Sequence, residues 1–340
     1  MTGSDSESVF ALDNRGQLEM ESGNGILPAQ ALKALIEQGK IALAEPLGTK
    51  QLQPASLDLR LGTSAFRVRA SFLPGPGIEV QARIDALALH KIDLTDGAVL
   101  ETGCVYIVPL LESLDLPEHI AAATNPKSST GRRDVFTRVI ADGVNACDQI
   151  PDGYSGPLYA EICPQTFPII VRTGSTLSQI RFRVGQPTEN DEQLRELHAR
   201  NTLIAGGTAT DIQNGIALSV DLSDELATTS GGLVGYRAKR NTGLVDVDAP
   251  QSCAISDYWE PIQQGSSSGL VLDPDQFYIL ASKEAVHVPP THAAEMVPCN
   301  PLVGEFRVHY AGFMDPGFGH APAGGAGARV VREVRSHKVP

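Results

Sequence analysis

The second half of the chain repeats the first. Tyr106-Ile107 returns as Tyr278-Ile279, Glu112 as Glu284, Leu116-Pro117 as Val288-Pro289, Ala121-Ala122 as Ala293-Ala294 and Glu161 as Glu333, all displaced by 172 positions. Upstream, Leu57-Asp58-Leu59 resembles Val220-Asp221-Leu222, and Asn125-Pro126 resembles Asn300-Pro301 with three residues inserted. A collinear series of this kind is the mark of internal duplication, so one fold must be built twice. The expected organisation is a mobile leader over 1–24, a first repeat over 25–188, a helical linker over 189–202 and a second repeat over 203–340. Repeat 1 runs on through Leu177-Ser178-Gln179-Ile180, whereas the sequence stops at Pro340 where the matching strand of repeat 2 should start. Either a natural end is lacking or repeat 2 is incomplete.

The repeated unit reads as β. Between Leu52 and Arg183, short runs rich in Val, Ile, Leu and Tyr alternate with Gly, Pro, Asp and Asn clusters. Strands are expected over Ser56–Leu61, Ala98–Leu100, Cys104–Leu110, Leu158–Ile162, Ile169–Arg172 and Ile180–Val184, as in an all-β sandwich or barrel. Two helices interrupt this pattern. Pro28 suits a first turn, Leu32, Leu35 and Ile36 share a face and Gly39 supplies the stop of one; Glu189–Arg200 forms the other, either joining the halves or packing on the first.

Composition narrows the surroundings. The chain has 340 residues, 42% hydrophobic, enough for two ordinary cores. No apolar run approaches the ~20 residues of a membrane span, and Met1-Thr2-Gly3-Ser4-Asp5 lacks the features of a secretory signal, so a cytoplasmic, membrane-free protein is expected. A net charge of −13 repels a nucleic-acid backbone, so any phosphate must be held locally. The five cysteines form no C-x-x-C pair and are expected reduced and mostly buried. The eight histidines form neither H-x-E nor H-x-x-x-H, and no side-chain metal site is expected.

Three features carry possible chemistry. In Lys127-Ser128-Ser129-Thr130-Gly131-Arg132-Arg133, small residues let backbone N–H groups converge on an anion while hydroxyls and cations add donors and charge. A solvated polar turn fits the same residues, and no G-x-x-x-x-G-K-[ST] loop occurs. Glu161 stands in the apolar strand Leu158–Ile162, where burial could raise its pKa into a proton-shuttling range, although an ion pair fits as well. Gly153-Tyr154-Ser155-Gly156 and Asp315-Pro316-Gly317-Phe318-Gly319 read as hairpin turns, either structural or presenting an aromatic rim for a base.

In order along the chain, Gln53-Pro54-Ala55-Ser56-Leu57-Asp58-Leu59-Arg60-Leu61-Gly62, the Lys127–Arg132 loop, the Gly153–Gly156 hairpin and Glu161 resemble the signatures of the dCTP deaminase family within the trimeric dUTPase superfamily. The likeness covers about Ile26 to Val184 closely and the second half more loosely. It implies mainly β, tandem dUTPase-like distorted β-barrels with a few short helices, a homotrimer binding dCTP or dUTP, Mg2+ carried with the triphosphate, and deamination without zinc. The missing H-x-E and P-C-x-x-C fit that implication. Carried over by position, Glu161 is the proton shuttle, Ser128 orients the water and Arg132 stabilises developing charge; Lys127, Ser129 and Arg133 serve phosphates, and Tyr154 and Gln179 join the substrate-binding set. The family usually has arginine where Lys127 stands.

Repeat 2 complicates the assignment. Its Tyr310-Ala311-Gly312-Phe313-Met314-Asp315-Pro316 matches the family's base-binding hairpin better than repeat 1 does, yet Asn300-Pro301-Leu302-Val303-Gly304 replaces the serines. Either like repeats form separate rings and Glu161 acts, or unlike repeats adjoin and Ser128 and Arg132 combine with Ala311, Asp315 and Glu333. Because two kinds of domain cannot alternate around a threefold ring, the first arrangement is the expectation. Deamination of dCTP to dUTP is the leading function. The alternatives are dUTP hydrolysis, alone or after deamination, and a non-catalytic nucleotide-binding regulatory trimer.

Overall fold

The computed structural model describes residues 24–205, 212–222, 232–263, 269–297, 312–320 and 327–335, and the backbone alone of 10–12, 18–20 and 307–308. In the first repeat two antiparallel sheets share a core. One joins Gln149–Ile150, Ile120–Pro126, Thr176–Val184 and Gly25–Ile26, with Leu57–Arg60 also on Thr176–Val184. The other joins Val135–Ala141, Ser155–Pro164, Val105–Asp115, Ser64–Val68 and Ala88–Asp93, with Ile41–Leu43 on Val105–Asp115. Leu57, Ile180 and Phe182 of the first sheet meet Ile107, Ile140 and Leu158 of the second in one cluster, to which the helix Ala29–Glu37 adds Leu32 and Leu35.

Differences from the expected elements have local causes. The strand expected over Cys104–Leu110 continues to Asp115, because Glu112 is buried rather than solvated. It accepts hydrogen bonds from Arg60 N at 2.7 Å, Arg60 Nε at 2.8 Å and Gln51 Nε2 at 2.8 Å. The helix Val80–Leu87 was not legible, since only Val80 and Ile84 of it are buried in an otherwise polar stretch. Within the expected leader, Phe10–Leu12 pairs antiparallel with Leu18–Met20, placing Phe10 opposite Met20 and Leu12 opposite Leu18. The described cysteines are free but only half-buried, against the expectation of mostly buried thiols.

The second repeat copies the first in register. Its sheet joins Trp259–Gln263, Leu233–Ala238, Phe277–Val286, Ala328–Arg335 and Arg307–Val308, with Ile204–Ala205 also on Phe277–Val286. Glu161 faces Ile107 across its ladder, and Glu333 faces Ile279 in the same way. The helix Asp191–Arg200 leads from one repeat to the other, opened by a capping box in which Asn190 accepts from Glu192 N and Gln193 N.

The repeats are clamped together. Val245–Asp246 adds in parallel to Ile169–Val171, and Arg172 donates to both Asp246 oxygens at 2.8 and 2.7 Å. Phe167 of repeat 1 lies edge-on to Tyr258 and Trp259 of repeat 2, with ring centroids 5.6 and 5.5 Å away. Beside it, the buried Arg335 of repeat 2 pairs with Asp134 of repeat 1 and donates to Thr166 Oγ1 at 3.0 Å.

Candidate active site

The sheet face that repeat 2 covers is polar. Asn125, Gln179 and Asp58 stand directly opposite one another on neighbouring strands, so they form one row on one face, and Arg181, two residues beyond Gln179, continues it. Ser56 Oγ donates to Gln179 Oε1 at 3.3 Å. From the end of Ile120–Pro126 the chain enters the single helical turn Ser128–Gly131, whose first N–H groups have no acceptor within the turn. Ser128, Ser129 and Arg132 are exposed, while buried Thr130 ties the turn down by donating to Leu177 O at 2.8 Å. Lys127 donates to Thr176 Oγ1 at 2.8 Å and is ion-paired with Asp58.

Two carboxyls of repeat 2 meet this surface. Glu333, 5% exposed, has its pKa pushed up to about 7 by burial, an effect that the Arg132 guanidinium of repeat 1 partly opposes. Asp315 is raised mainly by burial and further by the Asp58 charge, while the Ala55 N–H and the Arg181 charge pull it back. Among the described residues one buried oxygen on each of Asp58, Asp315 and Glu161 lacks a hydrogen-bond partner. The hairpin carrying Asp315 needs its glycines: Gly317 and Gly319 have φ of +88° and +64°, and a Cβ on Gly319 would collide with Val286 O and Ala328 N. Ala311 lies outside the described residues.

Glu161, the duplicate of Glu333, has a different neighbourhood. Its Oε1 accepts from Arg138 Nη2 at 2.5 Å and Arg138 Nε at 3.1 Å, and Arg138 also donates to Ser71 Oγ at 2.9 Å while lying over the Phe136 ring. Among the described residues no hydrogen bond or ion pair joins Glu161 to Ser128 or Arg132. Nearby Asp148, pushed by burial to about 6, accepts from Thr124 Oγ1 at 2.6 Å and Val139 N at 2.8 Å.

Two expected substrate residues are elsewhere. Tyr154 is not a stacking rim but part of the core: its ring is 8% exposed, its hydroxyl donates to Pro157 O at 2.7 Å and accepts from Asp142 N at 3.1 Å. Burial raises its pKa to about 12. Arg133 points away from the serine turn, donating to Val247 O at 3.3 Å; burial lowers its pKa, partly offset by the Asp248 and Asp246 charges. Conversely, Asp58, Asn125 and Arg181 escaped notice as site residues, although the alternation Gln179-Ile180-Arg181-Phe182 already put Gln179 and Arg181 on one face.

Glu333 within the field of Arg132, and Asp315 at Asp58 and Arg181, set two carboxyls of repeat 2 against charged groups of repeat 1. The N-terminal domain description of 2'-deoxycytidine 5'-triphosphate deaminase matches residues 23–186, and the corresponding C-terminal domain description matches 190–340. The chain belongs to the 2'-deoxycytidine 5'-triphosphate deaminase family. A crystal structure of 2'-deoxycytidine 5'-triphosphate deaminase from Agrobacterium tumefaciens superimposes with a TM-score of 0.87 at 56% identity, covering 93% of this chain and 94% of that one. The dCTP deaminase of Shewanella amazonensis is 29% identical over 160 residues, 44% of this chain and 79% of the relative. A dUMP-forming dCTP deaminase of Beutenbergia cavernae is 26% identical over 166 residues, 48% of this chain and 82% of the relative. Relatives matched over most of their length by less than half of this chain agree with a duplicated unit.

Proposed function

We propose that the chain hydrolyses dCTP to dUTP and ammonia at the junction of its two repeats, with Glu333 as the proton shuttle. The carrying observation is the pairing of environments: Glu333 is buried with a pKa of about 7 beside Arg132, whereas its duplicate Glu161 is tied to Arg138. A shuttle must both take and return a proton near neutral pH, which the raised pKa of Glu333 allows, while one oxygen of Glu161 is already engaged by Arg138.

Ser128 orients a water towards C4 of the base. As the water oxygen bonds to C4, its proton passes to the Glu333 carboxylate and on to N3, which gains the electron pair of the opening C4–N3 π bond. The carboxyl then takes the proton of the new C4 hydroxyl and hands it to the amino group, which leaves as ammonia as the C4 carbonyl forms. Arg132 offsets charge on the tetrahedral centre. Lys127 and Ser129 receive the phosphates once Lys127 turns from Asp58. Asp315 and Gln179 hold the nucleoside.

Mg2+ enters as part of the nucleotide substrate. That the triphosphate carries the ion is what the resemblance implies. Homotrimeric assembly, a cytoplasmic location and indifference to nucleic acid belong to this proposal; the resemblance supports the first and the acidic surface the last. No described helix is long and apolar enough to cross a membrane.

The test is incubation with dCTP and Mg2+, measuring ammonia and separating dCTP, dUTP and dUMP by chromatography. Ammonia with accumulating dUTP supports the proposal. Ammonia with dUMP and pyrophosphate adds the second hydrolysis named for some relatives, and no ammonia overturns the reading.

A further inference from the structure

We propose that Arg181 is a positioning residue that keeps the two halves of this site in register, an inference resting on the composite site described above. Its side chain is 4% exposed, although it extends from a strand face that in the isolated repeat would meet water. Both terminal nitrogens and one face of the guanidinium are engaged. Nη1 donates to Asn125 Oδ1, two residues before Lys127 and the serine turn. Nη2 donates to Glu295 Oε1 at 2.8 Å, and the guanidinium carbon lies 4.3 Å from the centre of the Phe313 ring.

Glu295 and Phe313 are directly opposite in the two-stranded ribbon Ala294–Glu295 and Phe313–Met314, and Phe313 is two residues before Asp315. One planar cation therefore grips both strands of the ribbon that delivers Asp315, and with Nη1 grips the strand end that delivers the phosphate-binding turn. Arg181 is also a cation whose charge acts on Asp315, against the like charge of Asp58. A lysine could supply the charge but neither the stacked plane nor the divergent donors.

Because Asp315 holds the nucleotide in ground state and transition state alike, loosening it raises KM more than it lowers kcat. The experiment is steady-state kinetics with Mg2+-dCTP on Arg181→Lys, Arg181→Gln and Phe313→Leu, each alone and combined with Asp315→Asn. Phe313→Leu removes the stacking ring while keeping apolar bulk and both Arg181 hydrogen bonds, so it carries the test if Arg181→Gln does not fold.

The expected result is a KM raised about tenfold with kcat within about threefold for each single variant, in the range of coupling measured between contacting residues. In the Asp315→Asn background the further loss of kcat/KM should shrink to under about twofold. An undiminished loss in that background overturns the proposal, since the effect then does not travel through Asp315. If Asp315→Asn alone leaves kcat/KM unchanged, the composite site itself is wrong, an outcome distinct from failure of the Arg181 role.

Discussion

Replacing Glu333 by glutamine should stabilise the protein in alkali while removing its activity. In the unfolded chain the carboxyl ionises near its ordinary value of 4.5, but in the fold it holds its proton to about pH 7. The folded state therefore binds more protons between those values, and stability that is complete below pH 4.5 is lost as pH rises through 7. At about 1.4 kcal/mol per pH unit, the loss comes to about 3 kcal/mol. Glutamine mimics the protonated acid and never ionises, so the variant should exceed wild type by under about 1 kcal/mol at pH 5 and by about 3 kcal/mol at pH 8. Urea denaturation of both proteins at pH 5, 6, 7 and 8 isolates the difference from all other titrating groups. Ammonia release should fall by at least ~100-fold in the variant, the usual cost of losing a general base. Equal stability of the two proteins at pH 8 would refute the desolvated carboxyl, and retained turnover would refute its catalytic role.

Other outcomes follow from the same geometry. Wild-type kcat/KM should decline in acid with an apparent pKa near 7, because the attacking step needs Glu333 ionised; a flat profile from pH 5.5 to 8 would count against it. Glu161→Gln should leave deamination within about threefold of wild type but cost about 1–3 kcal/mol in denaturant, because Arg138 loses its charged partner. Calorimetric titration of Glu333→Gln with Mg2+-dCTP should saturate at one nucleotide per chain, since Glu161 is tied to Arg138 and repeat 2 has Asn300–Gly304 where the serines stand; two sites per chain would contradict this. Tyr154→Phe should cost about 1–2 kcal/mol through two lost hydrogen bonds while leaving the KM for dCTP unchanged, whereas a raised KM would return Tyr154 to the site.

The pattern of residues along the chain was sufficient for the duplication, the β class, the helix over Ala29–Glu37, the polar turn at Ser128–Ser129 and the pair of strand glutamates. These depend on short-range chemistry: side-chain period, turn-forming residues and spacing. It could not decide between Glu161 and Glu333, because each stands in an apolar strand opposite an isoleucine, Ile107 or Ile279, and the local context was copied with the residue. What separates them is their charged surroundings: Arg138 binds Glu161 directly from the next strand, while Glu333 forms no ion pair among the described residues and feels only the charge of Arg132 from the other repeat. Adjacent Arg132 and Arg133 differ for a similar reason, Arg132 being exposed and Arg133 partly buried with a hydrogen bond to Val247 O. Arg181 reads as a solvated strand residue until the Phe313 ribbon closes over it, and Tyr154 as a hairpin tip until its ring is seen in the core. Burial and electrostatic environment are sums over neighbours distant in sequence, so the surroundings of Glu161 and Tyr154 were decided by the folding of repeat 1, and those of Arg181 by the packing of repeat 2 against it.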